Sequence, residues 1–149
     1  MMPSSNKVGI IGIGNPLRGD DGIGHWVIEK VEEWKLPGVF TIAYHQLQTE
    51  LIEQWLQFDA IVIIDAALNC NQVLLEKISA DNYTGSGSSH HMNPELLASL
   101  AKKLFQQDLA ITICKIEVEN FELGAPLSAT AIKNGELALQ LIRSWVEEQ

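Results

Sequence analysis

The sequence predicts an α/β fold: a twisted, mostly parallel five-stranded sheet flanked by helices in a three-layer α/β/α arrangement. Apolar runs of strand length alternate with segments whose apolar residues recur at helical spacing, the pattern of a sheet with helices on both faces. The 149 residues, 46% of them hydrophobic, are enough for one ordinary core. We therefore predict a single domain over 1–149, with residues 1–6 as a disordered lead-in.

A glycine-rich turn joins the first predicted strand to the first predicted helix. Residues 8–13 are apolar and rich in Ile, as in a strand buried on both faces of a sheet. An amphipathic helix is predicted over about 22–35, and the turn at 36–38 ends it. Its apolar residues recur at helical spacing: Ile23, Val27, Val31 and Trp34.

The middle of the chain continues the alternation. Residues 39–44 predict a second strand and residues 50–58 a short helix. Residues 60–64 predict a third strand, which has no polar residue and ends at Asp65. A further strand is predicted at 73–78. Because it follows its neighbour too closely for a helical crossover, we expect it to pair antiparallel with strand 60–64.

The last third of the chain supplies a helix, a strand and a terminal helix. Asn93 as N-cap and Pro94 at the first helical position predict a helix start. Residues 109–116 predict the fifth strand. Ser128 is expected to cap a final helix that ends near Glu147.

Charge and composition exclude several classes of function. The net charge of −9 argues against nucleic acid and against an anionic membrane surface, because both require clustered Lys and Arg. The longest apolar runs are of strand length, so we expect no membrane span. Cys70 and Cys114 are isolated and form no CxxC motif, which suits a reducing compartment. We predict a soluble cytoplasmic protein.

The turn after the first strand carries the strongest functional signal. Such turns usually bind phosphate through backbone N–H groups, but this one places Asp20 and Asp21 side by side, which would repel a pyrophosphate and attract a cation. Leu17 stands where a dinucleotide motif needs its third glycine, and Pro16 lacks an N–H donor. No acidic residue for a ribose follows the second strand. The turn is therefore predicted to face a cation.

Polar residues follow several predicted strands, where open α/β sheets place their sites. Asp20 and Asp21 follow the first strand, Asp65 ends the third, and His90 and His91 precede the helix that starts near residue 94. If these segments converge, carboxylates and an imidazole face one cleft. Such a set is too small for a closed structural zinc site. It suits zinc, nickel or iron(II) without choosing among them.

Each of these residues also has a structural interpretation. One of the two adjacent aspartates is expected to cap the helix near Gly22, with a stabilisation of about 1 kcal/mol, and we assign this role to Asp20. Asp65 equally fits a turn residue that accepts backbone N–H groups. A histidine beside Ser and Asn is commonly solvated. His45, at the end of the second strand, is a fourth candidate ligand by position.

Three segments together resemble the hydrogenase maturation proteases, and the resemblance covers about residues 8–145. They are the turn at 12–24, Ile64-Asp65-Ala66 and Ser88-Ser89-His90-His91. The resemblance implies that the domain is an endopeptidase. Its substrate would be the large-subunit precursor of a nickel–iron hydrogenase, from which it removes a C-terminal extension after nickel insertion.

The same resemblance implies the site residues. The family's three metal-contacting side chains fall on Asp21, Asp65 and His91, with His90 adjacent. Nickel would arrive with the precursor. It would either take part in the reaction, by polarising the scissile carbonyl or activating a water, or serve for recognition while a carboxylate acts as general base. The second version suits the grouping of the family with aspartic-type peptidases.

The segment after the second strand indicates a subtype. Many members have Gly-Gly-Thr there, whereas residues 44–51 of this chain resemble members that serve cytoplasmic NAD-linked bidirectional hydrogenases, and residues 121–124 resemble the same branch. Some members carry Glu where Asp21 stands. Two other classes of function stay open. One is a nickel-binding chaperone without catalysis, and the other is a metallohydrolase that holds its own zinc with His45 as a further ligand.

Overall fold

The structure, a computed structural model, describes residues 6–80 and 93–149. The lead-in predicted at 1–6 therefore falls almost entirely outside the described residues. Within the described ranges, strands alternate with helices as the sequence predicts. The elements are β1 Val8–Ile13, α1 Ile23–Glu32, β2 Val39–Tyr44, α2 Leu51–Trp55, β3 Ala60–Ala67, β4 Val73–Lys77, α3 Pro94–Phe105, β5 Ile111–Glu117 and α4 Ala129–Glu147.

The five strands form one sheet in the order β2-β1-β3-β5-β4. The first four of these run parallel, and β4 is antiparallel to β5 at one edge, which confirms the mostly parallel sheet. The prediction that residues 73–78 pair with strand 60–64 is wrong. Because β1 and β5 already occupy both edges of β3, β4 cannot pair with β3 and instead pairs with β5 at the edge of the sheet.

Two apolar layers cover the sheet and confirm the three-layer arrangement. Helices α1 and α4 pack on one face, against side chains that include Ile10, Val62 and Cys114. Helices α2 and α3 pack on the other face, against Ile11 and Ile63 among others. Alternate residues of β3 from 60 to 64 belong to opposite layers, which explains why these five positions are all apolar.

Local signals determine where the last two helices begin. The Asn93 side chain accepts a hydrogen bond from the Leu96 N–H at 2.7 Å, and Pro94 is the first residue of α3. The Ser128 hydroxyl accepts from the Ala131 N–H at 3.1 Å at the start of α4. Both predicted caps are confirmed. No helix in the described ranges is both long enough and apolar enough to cross a membrane.

The topology opens one crevice at the carboxyl ends of the parallel strands. From β1 the chain passes through α1 to β2 on one side, whereas β3 lies on the other side of β1, so the strand order reverses between β1 and β3. The β1–β3 register ends at the pair Gly12–Ile64, and β3 continues to Ala67. The prediction that the strand ends at Asp65 is therefore wrong, and Asp65 lies one residue beyond the last β1–β3 pair. Open α/β sheets bind ligands at this switch point.

Candidate active site

Asp21 lies in a 3-10 turn, Gly19–Gly22, between β1 and α1. Its side chain is half-buried, and its Oδ2 accepts a hydrogen bond from the Asn15 N–H at 2.7 Å. Gly14 has a φ of +142°, and a side chain at this position would collide with the Asp21 carbonyl oxygen. The glycine therefore allows the backbone after β1 to pass directly against Asp21. The N–H of Asn15 in this segment then holds the Asp21 carboxylate in place.

A cavity of about 440 Å³ borders Asp21, and we call it the Asp21 cavity. Its wall comes from the turn after β1 and from the segment after β2. The lining residues are Asn15, Arg18, Asp21, Tyr44, His45, Gln46 and Gln48. The wall is almost entirely polar, which suits a ligand that carries charge or many hydrogen-bonding groups.

Asp65 lines a second cavity of about 320 Å³, the Asp65 cavity, which is bounded on one side by the start of α3. Burial raises the pKa of the half-buried Asp65 carboxyl, and the charge of Asp21 raises it further. The Ala66 N–H and the Lys115 ammonium act in the opposite direction, and the resulting pKa is about 6. Lys115 is the register partner of Asp65 in β5.

Asp21 lies near enough to Asp65 for its charge to act on the Asp65 carboxyl. Their charges interact strongly enough to raise the pKa of Asp65, and Gln46 lines both cavities. Two carboxylates so placed repel each other, and a cation between them would relieve the repulsion. A carboxyl with a pKa near neutrality is also suited to accept and release a proton during catalysis.

Asp20 has a different role from the one predicted. No side-chain hydrogen bond caps either the 3-10 turn or α1, so the expectation that Asp20 caps the helix near Gly22 is wrong. Instead its fully buried carboxylate accepts hydrogen bonds from the Ser128 N–H and hydroxyl, both at 2.7 Å, and from the N–H groups of Asn120 and Glu119 at 3.0 and 3.1 Å. The donors lie about 100 residues away, so no local pattern could have indicated them.

The four histidines fall in different places, and three of them, His90, His91 and His45, are the candidate ligands. His90 and His91 lie outside the described residues. His45 is exposed and lines the Asp21 cavity, so the structure places this fourth candidate near Asp21. His25 lies in α1, where its Nε2 is 3.3 Å from the Tyr44 carbonyl oxygen, and it lines a separate cavity.

The donor set at this site is open. Residues 6–80 and 93–149 contain no group of three His, Cys, Asp or Glu side chains positioned to hold a metal ion. Asp21 and Asp65 provide carboxylate oxygen donors, which fit a divalent cation. Because two carboxylates fall short of a complete coordination shell, such a cation would need further ligands.

Sequence reasoning missed two cations at the site. Arg18 lines the Asp21 cavity, and Lys115 lines the Asp65 cavity. The signal for Lys115 was its position, because it is the only charged residue in the strand predicted at 109–116. Arg18 had a similar signal, since it lies in the same turn as the two aspartates.

Comparison with known proteins establishes the fold. No protein-family model matches the chain, and no curated protein sequence matches it significantly. Solved structures do match. The NiFe hydrogenase maturation protease HycI from Thermococcus kodakarensis is 23% identical with a TM-score of 0.73, and the match covers 92% of this chain and 90% of that one.

Two further structures agree. The hydrogenase maturating endopeptidase HybD from E. coli is 20% identical with a TM-score of 0.75, over 95% of this chain and 93% of that one. The NiFe hydrogenase maturation protease HybD from T. kodakarensis is 21% identical with a TM-score of 0.73, over 93% and 98%. The chain therefore has the fold of these endopeptidases along nearly its whole length.

Proposed function

We propose that this protein is an endopeptidase that removes the C-terminal extension from the large-subunit precursor of a nickel–iron hydrogenase after nickel insertion. The observation that carries the proposal is the pair of interacting carboxylates, Asp21 and Asp65, at the switch point of the sheet. The proposal is further supported by the fold, which solved hydrogenase maturation proteases share.

Asp21, Asp65 and His91 are the proposed contacts to the nickel that the precursor carries. The two carboxylates offer oxygen donors but not a full shell, so the precursor's own thiolates would supply the remaining ligands. Support for His91 comes from the sequence around it. Asn93, two residues later, lines the Asp65 cavity, and two residues of chain span at most about 7 Å.

The carboxylates also suit the hydrolytic step. A divalent metal at such a site polarises a carbonyl or lowers the pKa of a water. Asp65, with a pKa of about 6, is the proposed general base: it takes a proton from the attacking water, the peptide C–N bond breaks, and the proton passes to the departing amine. With this assignment the enzyme is an aspartic-type peptidase, and nickel marks the precursor that is ready to be cleaved.

The segment after β2 supports a subtype. Tyr44, His45, Gln46 and Gln48 all line the Asp21 cavity, so the chain differs from the Gly-Gly-Thr members at residues placed to meet the substrate. We propose that the precursor belongs to a cytoplasmic NAD-linked bidirectional hydrogenase, with which this protein would share the cytoplasm.

The decisive experiment is to incubate the protein with nickel-loaded and nickel-free large-subunit precursor and to follow loss of the C-terminal extension by intact mass. We expect cleavage of the nickel-loaded form alone. Asp21→Asn, Asp65→Asn and His91→Ala should each lower the rate at least about 100-fold. Asp108→Asn, whose side chain is 81% exposed, is the matched control and should cleave normally.

Other results would identify other functions. Efficient cleavage of the nickel-free precursor would contradict recognition through nickel. Tight binding of free nickel without loss of the extension would indicate a metal chaperone, and stoichiometric zinc in the purified protein would indicate an independent metallohydrolase. A wild-type rate in Asp65→Asn would show that the site is assigned wrongly.

A further inference from the structure

Two loops next to the Asp21 cavity are joined into one unit. The Gly124 N–H donates to the Leu17 carbonyl at 2.8 Å, and the Asp20 N–H donates to the Asn120 carbonyl at 2.7 Å. The buried Asp20 carboxylate adds further bonds to the second loop, including the one from the Asn120 N–H at 3.0 Å. The Leu17 N–H is itself held by the Asn15 side chain at 2.9 Å. The backbones of residues 15–20 and 119–124 are therefore fixed relative to each other.

This unit exposes two leucines. Leu123 is 74% exposed and Leu17 is 66% exposed, the two highest values for large hydrophobic side chains in the described part of the chain. A single exposed leucine is ordinary. Two on adjoining, hydrogen-bonded loops beside a candidate active site form an apolar patch that no described residue covers, and such patches commonly bind a partner.

Arg18 is the residue that links this patch to the Asp21 cavity. It follows Leu17 in sequence, its side chain is exposed, and it is the only Lys or Arg among the residues that line the Asp21 cavity. Within residues 6–80 and 93–149 its guanidinium has no hydrogen bond or ion pair, although Glu122 lies in the adjoining loop and the chain carries 19 acidic residues. A cation that lines a polar cavity and has no partner among the described residues is suited to bind an anionic group of the ligand.

We propose that Leu17, Arg18 and Leu123, which we call the docking ledge, bind the polypeptide substrate beside the bond that is cut. An apolar side chain of the substrate packs on the two leucines, and a carboxylate of the substrate pairs with Arg18. Because the protein has a net charge of −9, a carboxylate of the substrate binds where a cation faces it, and Arg18 supplies that cation beside the two leucines. The inference rests on the proposed function, since the occupant is the precursor that this site would cleave.

The test measures binding and cleavage separately with the nickel-loaded large-subunit precursor as the probe. Leu17→Ser combined with Leu123→Ser should weaken binding about tenfold, the effect of losing one hot-spot contact. The KM for removal of the extension should rise to a similar degree, with a far smaller change in kcat. Arg18→Gln should act in the same direction, and Arg18→Lys should restore part of the binding because the charge returns.

Leu104→Ser is the matched control. Leu104 is 61% exposed and lies in the last turn of α3, whereas the Asp65 cavity is bordered by the first turn of that helix. It should change neither binding nor KM. All substituted side chains are exposed, so the variants should melt at nearly the wild-type temperature.

The outcomes separate the ledge from the proposed function. If the double variant binds the precursor and releases the extension with wild-type affinity and KM, the docking ledge is contradicted and the proposed function is not. The same holds if Leu104→Ser weakens binding as much as the double variant does. If binding depends on the two leucines but the extension is not released, the proposed peptidase activity is contradicted and the docking ledge is supported. If the wild-type protein neither binds nor cleaves the precursor, both the docking ledge and the proposed function are contradicted.

Discussion

At the scale of single residues, two adjacent aspartates have opposite environments. The Asp20 carboxylate is fully buried, and Asp21 is half-exposed beside a polar cavity. Burial alone would raise the pKa of Asp20, but the hydrogen bonds from Ser128, Glu119 and Asn120 outweigh burial and lower it. The buried aspartate is therefore a structural anion, and its neighbour is the one available for a ligand.

Asp65 should destabilise the folded protein at neutral pH. Its pKa rises from 3.8 to about 6 on folding, so the folded state holds the proton more tightly than the unfolded state. Stability is therefore lost as pH rises from about 4 to above 6, by on the order of 2–3 kcal/mol. Asp65→Asn should raise the free energy of unfolding at pH 7.5 and leave it nearly unchanged at pH 4, as measured by urea denaturation in the presence of a chelator.

The comparison needs a control for charge alone. Asp108→Asn removes one negative charge at an exposed position. It should change the free energy of unfolding by a few tenths of a kcal/mol, and by a similar amount at both pH values. A difference between wild type and Asp65→Asn that does not vary with pH would contradict the prediction. Gain of stability with loss of activity is the pattern expected when an active site keeps a strained charge.

At the scale of elements, Asp20 joins the turn after β1 to the start of α4. It accepts two hydrogen bonds from Ser128, the residue that caps α4, and two from the loop that precedes it. The same loop supplies Leu123 to the docking ledge. A single buried carboxylate thus holds together the acidic turn, the ledge and the terminal helix.

Asp20→Ala should destabilise the protein strongly. It leaves up to four donors without their acceptor in a buried place, at a cost of about 3 kcal/mol or more. We expect urea denaturation to show this loss in the free energy of unfolding, and we expect faster hydrogen exchange of the amides in the first turn of α4. Asp108→Ala, at an exposed position, is the matched control. A loss below about 1 kcal/mol for Asp20→Ala would show that the loops hold together without it.

The helix starts show which element-scale features the sequence reveals. Asn93 and Ser128 bond to N–H groups three residues later, and such caps are visible in the sequence because their partners are local. The bonds of Asp20 are equally short, but they link residues 108 positions apart. That distance along the chain is why the residue was predicted to cap the nearest helix instead.

At the scale of the whole molecule, we expect the protection of backbone amides from hydrogen exchange to be highest in the central strands and lowest in the edge strand β4. Residues 60–64 of β3 are at most 7% exposed and lie at the centre of the sheet, whereas β4 is an edge strand with exposed residues. Amides of β1 and β3 should exchange only through global unfolding, and those of β4 through smaller openings, at least about tenfold faster. Exchange followed by NMR checks this, and equal protection of β4 and β3 would contradict it.

Much of this protein follows from its sequence alone. Apolar periodicity determined the strands and helices, because a residue's layer depends on its position within its own element. The acidic turn and Asp65 were recognisable because the carboxyl ends of parallel strands meet at one edge of a sheet. The fold class could therefore be predicted from local pattern, and so could the positions of the candidate carboxylates Asp20, Asp21 and Asp65 near the ends of strands.

Only the tertiary structure decided the rest. It inserted β5 between β3 and β4, bonded Asp20 to Ser128, and set Arg18 and Lys115 beside the two carboxylates. It also raised the pKa of Asp65, since burial and the charge of Asp21 act only once the strands are assembled. These features depend on contacts between residues far apart in sequence, whose positions are set by the packing of all the elements together.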